Sequence, residues 1–123
     1  KVICLDGDGA ALMHLGSMSL LGKQPNILHI LFNNGAHDSV GGQSTCAPEL
    51  NFYNVAEALG YSNVARLQSI LEIKNFFEDE FNQIGSVFLE VVCGKGARTN
   101  LGRPTISPYE NIRDFYRKQE RMK

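Results

Sequence analysis

Hydrophobic residues in this chain fall into short unbroken runs set between glycine-, asparagine- and arginine-rich stretches. Lys1–Leu5, Ile27–Phe32 and Val87–Cys93 show neither the alternation of a one-sided strand nor the period of an amphipathic helix. Continuous apolar runs of that length suit strands covered on both faces, so Lys1–Leu5 is expected to be buried. Asn63–Leu67 reads as a further short strand. Gly9 to about Leu21 is apolar on most sides, the mark of a buried helix, and Gly22 and Pro25 end it. Phe52–Leu59 forms a helix closed by Gly60. Ser69–Asn82 forms an amphipathic helix with Ile70, Ile73, Phe77 and Phe81 on one face, and Tyr109–Arg121 a charged helix packed on the edge. Two long irregular stretches remain, Asn33–Asn51 and Gly94–Pro108, and loops of that length in a compact domain are usually functional or disordered.

The alternation β-α-β-loop-α-β-α-β-loop-α predicts an α/β fold, doubly wound, with a mainly parallel sheet and helices on both faces. Ligands of such sheets sit at the carboxyl ends of the strands. The loop after the first strand, Asp6–Gly9, and the loop after the second, Asn33–Gly42, both fall at that edge.

Composition narrows the picture. The 123 residues suffice for one domain, 1–123, and a formal net charge of −1 offers no bulk attraction to nucleic acid or to an anionic membrane. The apolar runs stop well short of the ~20 residues that span a bilayer. Three cysteines, Cys4, Cys46 and Cys93, form no CxxC pair, which fits a reducing, cytoplasmic setting. Cys4 and Cys93 read as buried strand thiols and Cys46 as a loop bystander. The chain opens on Lys1 inside an apolar run, so it reads as an N-terminally truncated fragment of something longer.

The chemistry lies in the two loops. Asp8 stands at a strand end and a helix start, and Asn34 follows 26 residues later at the next strand end. A carboxylate, an amide oxygen and nearby carbonyls form an all-oxygen set suited to Mg²⁺, which takes one or two carboxylates together with phosphate oxygens. The glycines and helix start beside Asp8 offer backbone N–H groups to those phosphates. Each motif alone also suits a plain turn: Asp caps helices well, and Asn-Asn-Gly is a common turn signal. Their occurrence together at adjacent strand ends favours a shared site.

The pair of motifs resembles the pyrophosphate/magnesium signature of thiamine-diphosphate-dependent enzymes, GDG followed by NN. LDGDGAALMHLGSM, LFNNGAHDSVGGQST and LGRPTISPYEN extend the resemblance, over most of the chain, to the phosphonopyruvate decarboxylase family, with sulfopyruvate decarboxylases as near relatives. The resemblance implies a thiamine-diphosphate-binding fold that holds thiamine diphosphate and Mg²⁺. Asp8, Asn34 and the carbonyl of Ala36 would ligate the metal, and Gly7, Asp8, Gly9, Ala10, Asn34, Ala36 and His37 would contact the cofactor. Many family members carry a hydroxyl residue where this chain has Ala10, so the backbone there must suffice. It implies conversion of the 2-oxo acid 3-phosphonopyruvate to phosphonoacetaldehyde and CO₂. The alternatives are sulfopyruvate or another 2-oxo acid as substrate, or a non-catalytic module that keeps the fold. The activating glutamate would come from a pyrimidine-binding domain of the same or a neighbouring chain, in a homo-oligomer. Alone, this domain is expected to be inactive and to bind the cofactor weakly.

His37 is the candidate catalytic residue, since histidine titrates near neutral pH, although a structural loop histidine is the competing reading. Asp38, Ser39 and Gln43 are expected to shape the same loop. His29 is expected to be a satisfied core residue, His14 a packing residue, and Asp6 a buttress of the turn. Lys95, Arg98 and Arg103 could read an anionic substrate group or simply lie in solvent.

Overall fold

The structure is a computed structural model that describes residues 1–80 and 85–122. Strands β1 (Val2–Gly7), β2 (Ile27–Asn33), β5 (Asn63–Leu67) and β6 (Val87–Val92) form a parallel sheet in the order β1-β2-β6-β5. Two-residue strands β3 (Ala36–His37) and β4 (Gln43–Ser44) pair antiparallel above it. Helices α1 (Asp8–Met13) and α2 (Leu15–Leu21) join β1 to β2, α3 (Phe52–Ala58) precedes β5, and α4 (Ile70–Asn75) precedes β6.

Successive strand residues point to opposite faces, and that alternation builds two cores. Leu31 and Phe88 turn towards Ala11, Met18, Phe52 and Ala56 of the helices on one face. Leu28, Ile30, Val87, Leu89 and Val91 turn towards Phe76 on the other. The doubly wound sheet predicted from the apolar runs is therefore present, and its two central strands are covered on both sides as expected.

Four expectations are corrected. β1 is an edge strand and is not buried: Leu5 is 67% exposed, because no described helix covers its outer side. The helix expected over Gly9–Leu21 breaks at His14 into α1 and α2, and His14 itself is exposed instead of packed. Only Ala11 and Met18 of its apolar residues are fully buried, since a helix beside an edge strand has a core on one side only. The amphipathic face of α4 runs through Ile73 and Phe76, not Ile70 and Phe77. Ile70 is 87% exposed because the helix reaches the sheet only after its first turn, and the chain then widens into one π-helical turn, Phe76–Glu80. Phe81 and Asn82 lie outside the described residues. Finally α5 (Pro108–Glu120) is not packed on the sheet edge: every residue of it is exposed, and it is held by its own capping box between Ser107 and Glu110.

Candidate functional site

The carboxyl ends of β1 and β2 lie side by side, with Gly7 paired to Phe32 in the parallel register. Gly7 is the N-cap of α1, so the chain turns from strand to helix at Asp8. Asp6 buttresses this turn as expected, accepting from the Gly7 N–H at 3.0 Å through Oδ1. Its other oxygen lies 3.4 Å from His29 Nε2. His29 is the buried core histidine that was expected, with Nδ1 2.7 Å from the Tyr61 hydroxyl, but it is only half satisfied: among the described residues its Nε2 makes no hydrogen bond and has Asp6 merely in ion-pair range. Burial holds its pKa below the usual 6.5, against the opposing pull of Asp6.

Asp8 is 1% exposed. Thr45 Oγ1 donates to its Oδ2, which anchors the long loop after β4 to the start of α1. No other hydrogen bond reaches this carboxylate among the described residues. Across from it, Asn34 Oδ1 accepts from the Ala36 N–H at 3.0 Å, and Asn34 Nδ2 donates to Asp38 Oδ2 at 2.8 Å. Gly35 between them has φ +66°, a left-handed turn that glycine adopts without strain. Gly7, Asp8, Gly9, Ala10, Asn34, Ala36 and His37, all the residues expected at the site, line one cavity of about 280 Å³ together with Phe32, Asp38 and Ser39. A second cavity of about 270 Å³ opens at the amino ends of β5 and β6, around Tyr53, Glu57 and Asn63.

The arrangement suits an oxygen-bound divalent cation carried in with a polyphosphate. Asp8 has an unused carboxylate oxygen, and the Asn34 amide oxygen retains a lone pair beyond its turn bond. Among the described residues no group of three His, Cys, Asp or Glu side chains could chelate a metal unaided. A cation here needs further oxygens from its ligand, as Mg²⁺ sites at nucleotide and diphosphate phosphates do. His37 packs its ring over Gly9: a Cβ built on Gly9 would lie 2.3 Å from His37 Nδ1. Only glycine lets that ring close over the first turn of α1.

Residues 1–91 match the family model described as "Thiamine pyrophosphate enzyme, C-terminal TPP binding domain". The chain belongs to this family of thiamine-diphosphate-binding domains. It is 34% identical over 116 residues to a phosphonopyruvate decarboxylase of Streptomyces viridochromogenes, covering 93% of this chain and 29% of that protein. It is 33% identical over 86 residues to the sulfopyruvate decarboxylase subunit beta of Methanocaldococcus jannaschii, covering 68% of this chain and 45% of the relative. A sulfopyruvate decarboxylase of Methanosarcina acetivorans is 31% identical over 117 residues, 93% of this chain and 30% of the relative. The chain thus spans less than a third of the phosphonopyruvate decarboxylase it matches.

Other candidates fall outside the cavity. Gln43 pairs with His37 in the hairpin but is exposed. Arg98 and Arg103 are exposed, while Lys95 Nζ lies 3.4 Å from Ser44 Oγ. Gly96 N–H donates to Asp38 Oδ2 at 2.7 Å, so the second glycine-rich loop is tied to the rim of the site. Cys93, expected to be buried, is exposed because it follows the last residue of β6. Partial desolvation and the nearby carboxylates of Asp8 and Asp38 push its thiol pKa up. Cys4, expected to be buried, is half-buried on the edge strand, whereas Cys46 is an exposed loop thiol as expected. Sequence reasoning missed Thr45, whose contact with Asp8 spans 37 positions with no local signal. It also missed Glu90, although a lone acid inside VFLEVV was a visible signal. Among the described residues no helix is long and apolar enough to cross a membrane.

Proposed function

We propose that this domain holds thiamine diphosphate through Mg²⁺ and serves the decarboxylation of a 2-oxo acid, with 3-phosphonopyruvate yielding phosphonoacetaldehyde and CO₂. The observation that carries the reading is the buried Asp8 carboxylate, with one oxygen unused, sharing a cavity with Asn34 at adjacent strand ends. Asp8, the Asn34 amide oxygen and the Ala36 carbonyl would ligate the metal. The N–H groups of Gly9 and Ala10 would face the diphosphate at the start of α1, where the helix presents unpaired donors.

When bound, the cofactor supplies an electron sink that accepts the pair released as the carboxylate leaves as CO₂. The chain's own residues do the rest. Thr45 holds Asp8 in place and Asp38 holds Asn34, while Phe32 and the His37 ring line the cavity. His37, half-buried beside Gly9, would hold or move a proton at the substrate. The complete site requires a pyrimidine-binding domain of the same or a neighbouring chain, in a cytoplasmic homo-oligomer. This chain is the cofactor-binding portion and should be inactive without that domain.

The substrate choice rests on the loop resemblance and on the slightly higher identity of the phosphonopyruvate decarboxylase match, 34% over 116 residues against 31% over 117 for a sulfopyruvate decarboxylase of equal coverage. The test is kcat/KM of the assembled enzyme for 3-phosphonopyruvate and for 3-sulfopyruvate, with and without Mg²⁺. A preference for the phosphonate supports the reading. Preference for the sulfonate moves the enzyme to the other branch, and turnover of neither leaves another 2-oxo acid or a non-catalytic module.

A further inference from the structure

Asn33 stands immediately before Asn34, yet its side chain turns away from the cavity and is buried beside the sheet. Its Nδ2 donates to Glu90 Oε1 at 2.7 Å, and its Oδ1 accepts from the Gly35 N–H at 3.3 Å. Glu90 lies in the middle of β6, 1% exposed, between Leu31 of β2 and Arg66 of β5 in the register. Arg66 Nε is 3.3 Å from Glu90 Oε2, an ion-pair contact not aligned as a hydrogen bond, and the Arg66 side chain is 43% exposed. A polar line therefore crosses three strands, from a half-exposed guanidinium to the turn that carries Asn34.

Stability does not call for this line. A carboxylate taken out of water inside a sheet is costly, and buried ion pairs replaced by apolar residues are often neutral or stabilising. What the line does is local. It fixes the side chain of Asn33 on one side of the strand end and, through the Gly35 N–H, the turn that presents Asn34 on the other. The Asn34 side chain has only the neighbouring turn and Asp38 to orient it otherwise.

We propose that Glu90 is a positioning residue for the cofactor site: braced by Arg66, it grips Asn33 and so sets the Asn33–Gly35 turn that aims Asn34 at the metal. The inference rests on Asn34 and Asp8 being metal ligands, as argued under the preceding heading. Groups that orient a metal ligand typically change metal affinity by about 10- to 100-fold when removed.

The test uses the assembled enzyme, titrated calorimetrically with Mg²⁺ at saturating thiamine diphosphate, alongside its thermal midpoint. Glu90→Leu should weaken Mg²⁺ about tenfold or more without a matching loss of stability, because Arg66 can turn to solvent. Glu90→Gln keeps an oxygen that accepts from Asn33 and should recover affinity to within about threefold of wild type. Should Glu90→Leu fail to fold, Asn33→Ala removes the same grip and carries the same expectation. Wild-type Mg²⁺ affinity in a folded Glu90→Leu or Asn33→Ala enzyme, with Asp8→Ala impaired, overturns this inference alone. Wild-type affinity in Asp8→Ala as well overturns the metal reading beneath it.

Discussion

Gly9→Ala probes the first turn of α1 directly. Gly9 is helical and is not among the positive-φ glycines, so alanine fits its backbone. Alanine is favoured over glycine in a helix by up to ~1 kcal/mol, less in a first turn. Against this, the new Cβ would lie 2.3 Å from His37 Nδ1 and 2.4 Å from Cε1, and the ring must move. Overpacking of this kind costs ~1–3 kcal/mol, and a half-buried ring able to swing outward places it at the lower end. Gly9→Ala alone should therefore range from nearly neutral to about 1 kcal/mol destabilising. In a His37→Ala background the clash is gone and the same change should stabilise by up to ~0.5–1 kcal/mol. The coupling energy is then ~1–2 kcal/mol, read from urea unfolding of the four proteins in the cycle. Additive effects, with Gly9→Ala equally costly in both backgrounds, would show that His37 does not sit over Gly9.

Other predictions follow from the same geometry. His29 is buried with its pKa lowered, so the unfolded chain binds a proton near pH 6.5 that the folded chain refuses. Stability should be fully present above that value and decline as pH falls below it, and His29→Gln should flatten the urea midpoint between pH 7.5 and 6. Backbone N–H groups of Gln68 and Ser69 hold Glu72 below the usual carboxylate range, and Ser107 does the same for Glu110. Their contribution exists above the unfolded carboxylate pKa and is lost as pH falls through the lower folded value. Amide NMR shifts at the starts of α4 and α5 should report acid fraying that Glu72→Gln and Glu110→Gln bring on at neutral pH. Asp38→Ala frees both Asn34 and Gly96, so it should speed proteolysis of the loop 94–107 and weaken Mg²⁺ binding. Unchanged cleavage would show that Asp38 does not tie the loop down.

Much of the sheet was legible because its central strands are covered on both faces, and covered strands write themselves as unbroken apolar runs. Ile27–Phe32 and Val87–Cys93 are strands to within a residue. The same rule misled at Lys1–Leu5, since an apolar run does not say whether its strand is central or at an edge. Tyr109–Arg121 was legible as a charged helix, but its packing was not. Tyr109, Ile112 and Tyr116 make an apolar side that the described residues leave exposed. At the site, glycine turns and strand ends placed Asp8 and Asn34 in one cavity correctly, because both signals are local. Thr45, Glu90 and Arg66 reach the site across 37 or more positions or across strands, and only the register brings them there.

In the proposed site Asp8 holds the metal through which the cofactor binds. Calorimetric titration of the assembled enzyme with thiamine diphosphate, with and without Mg²⁺, in wild type and Asp8→Ala, addresses it most directly. Binding should require Mg²⁺, and Asp8→Ala should weaken it about 100-fold, ~2.8 kcal/mol, in a protein that still unfolds cooperatively. Equal Mg²⁺-dependent affinity in the two proteins would contradict it.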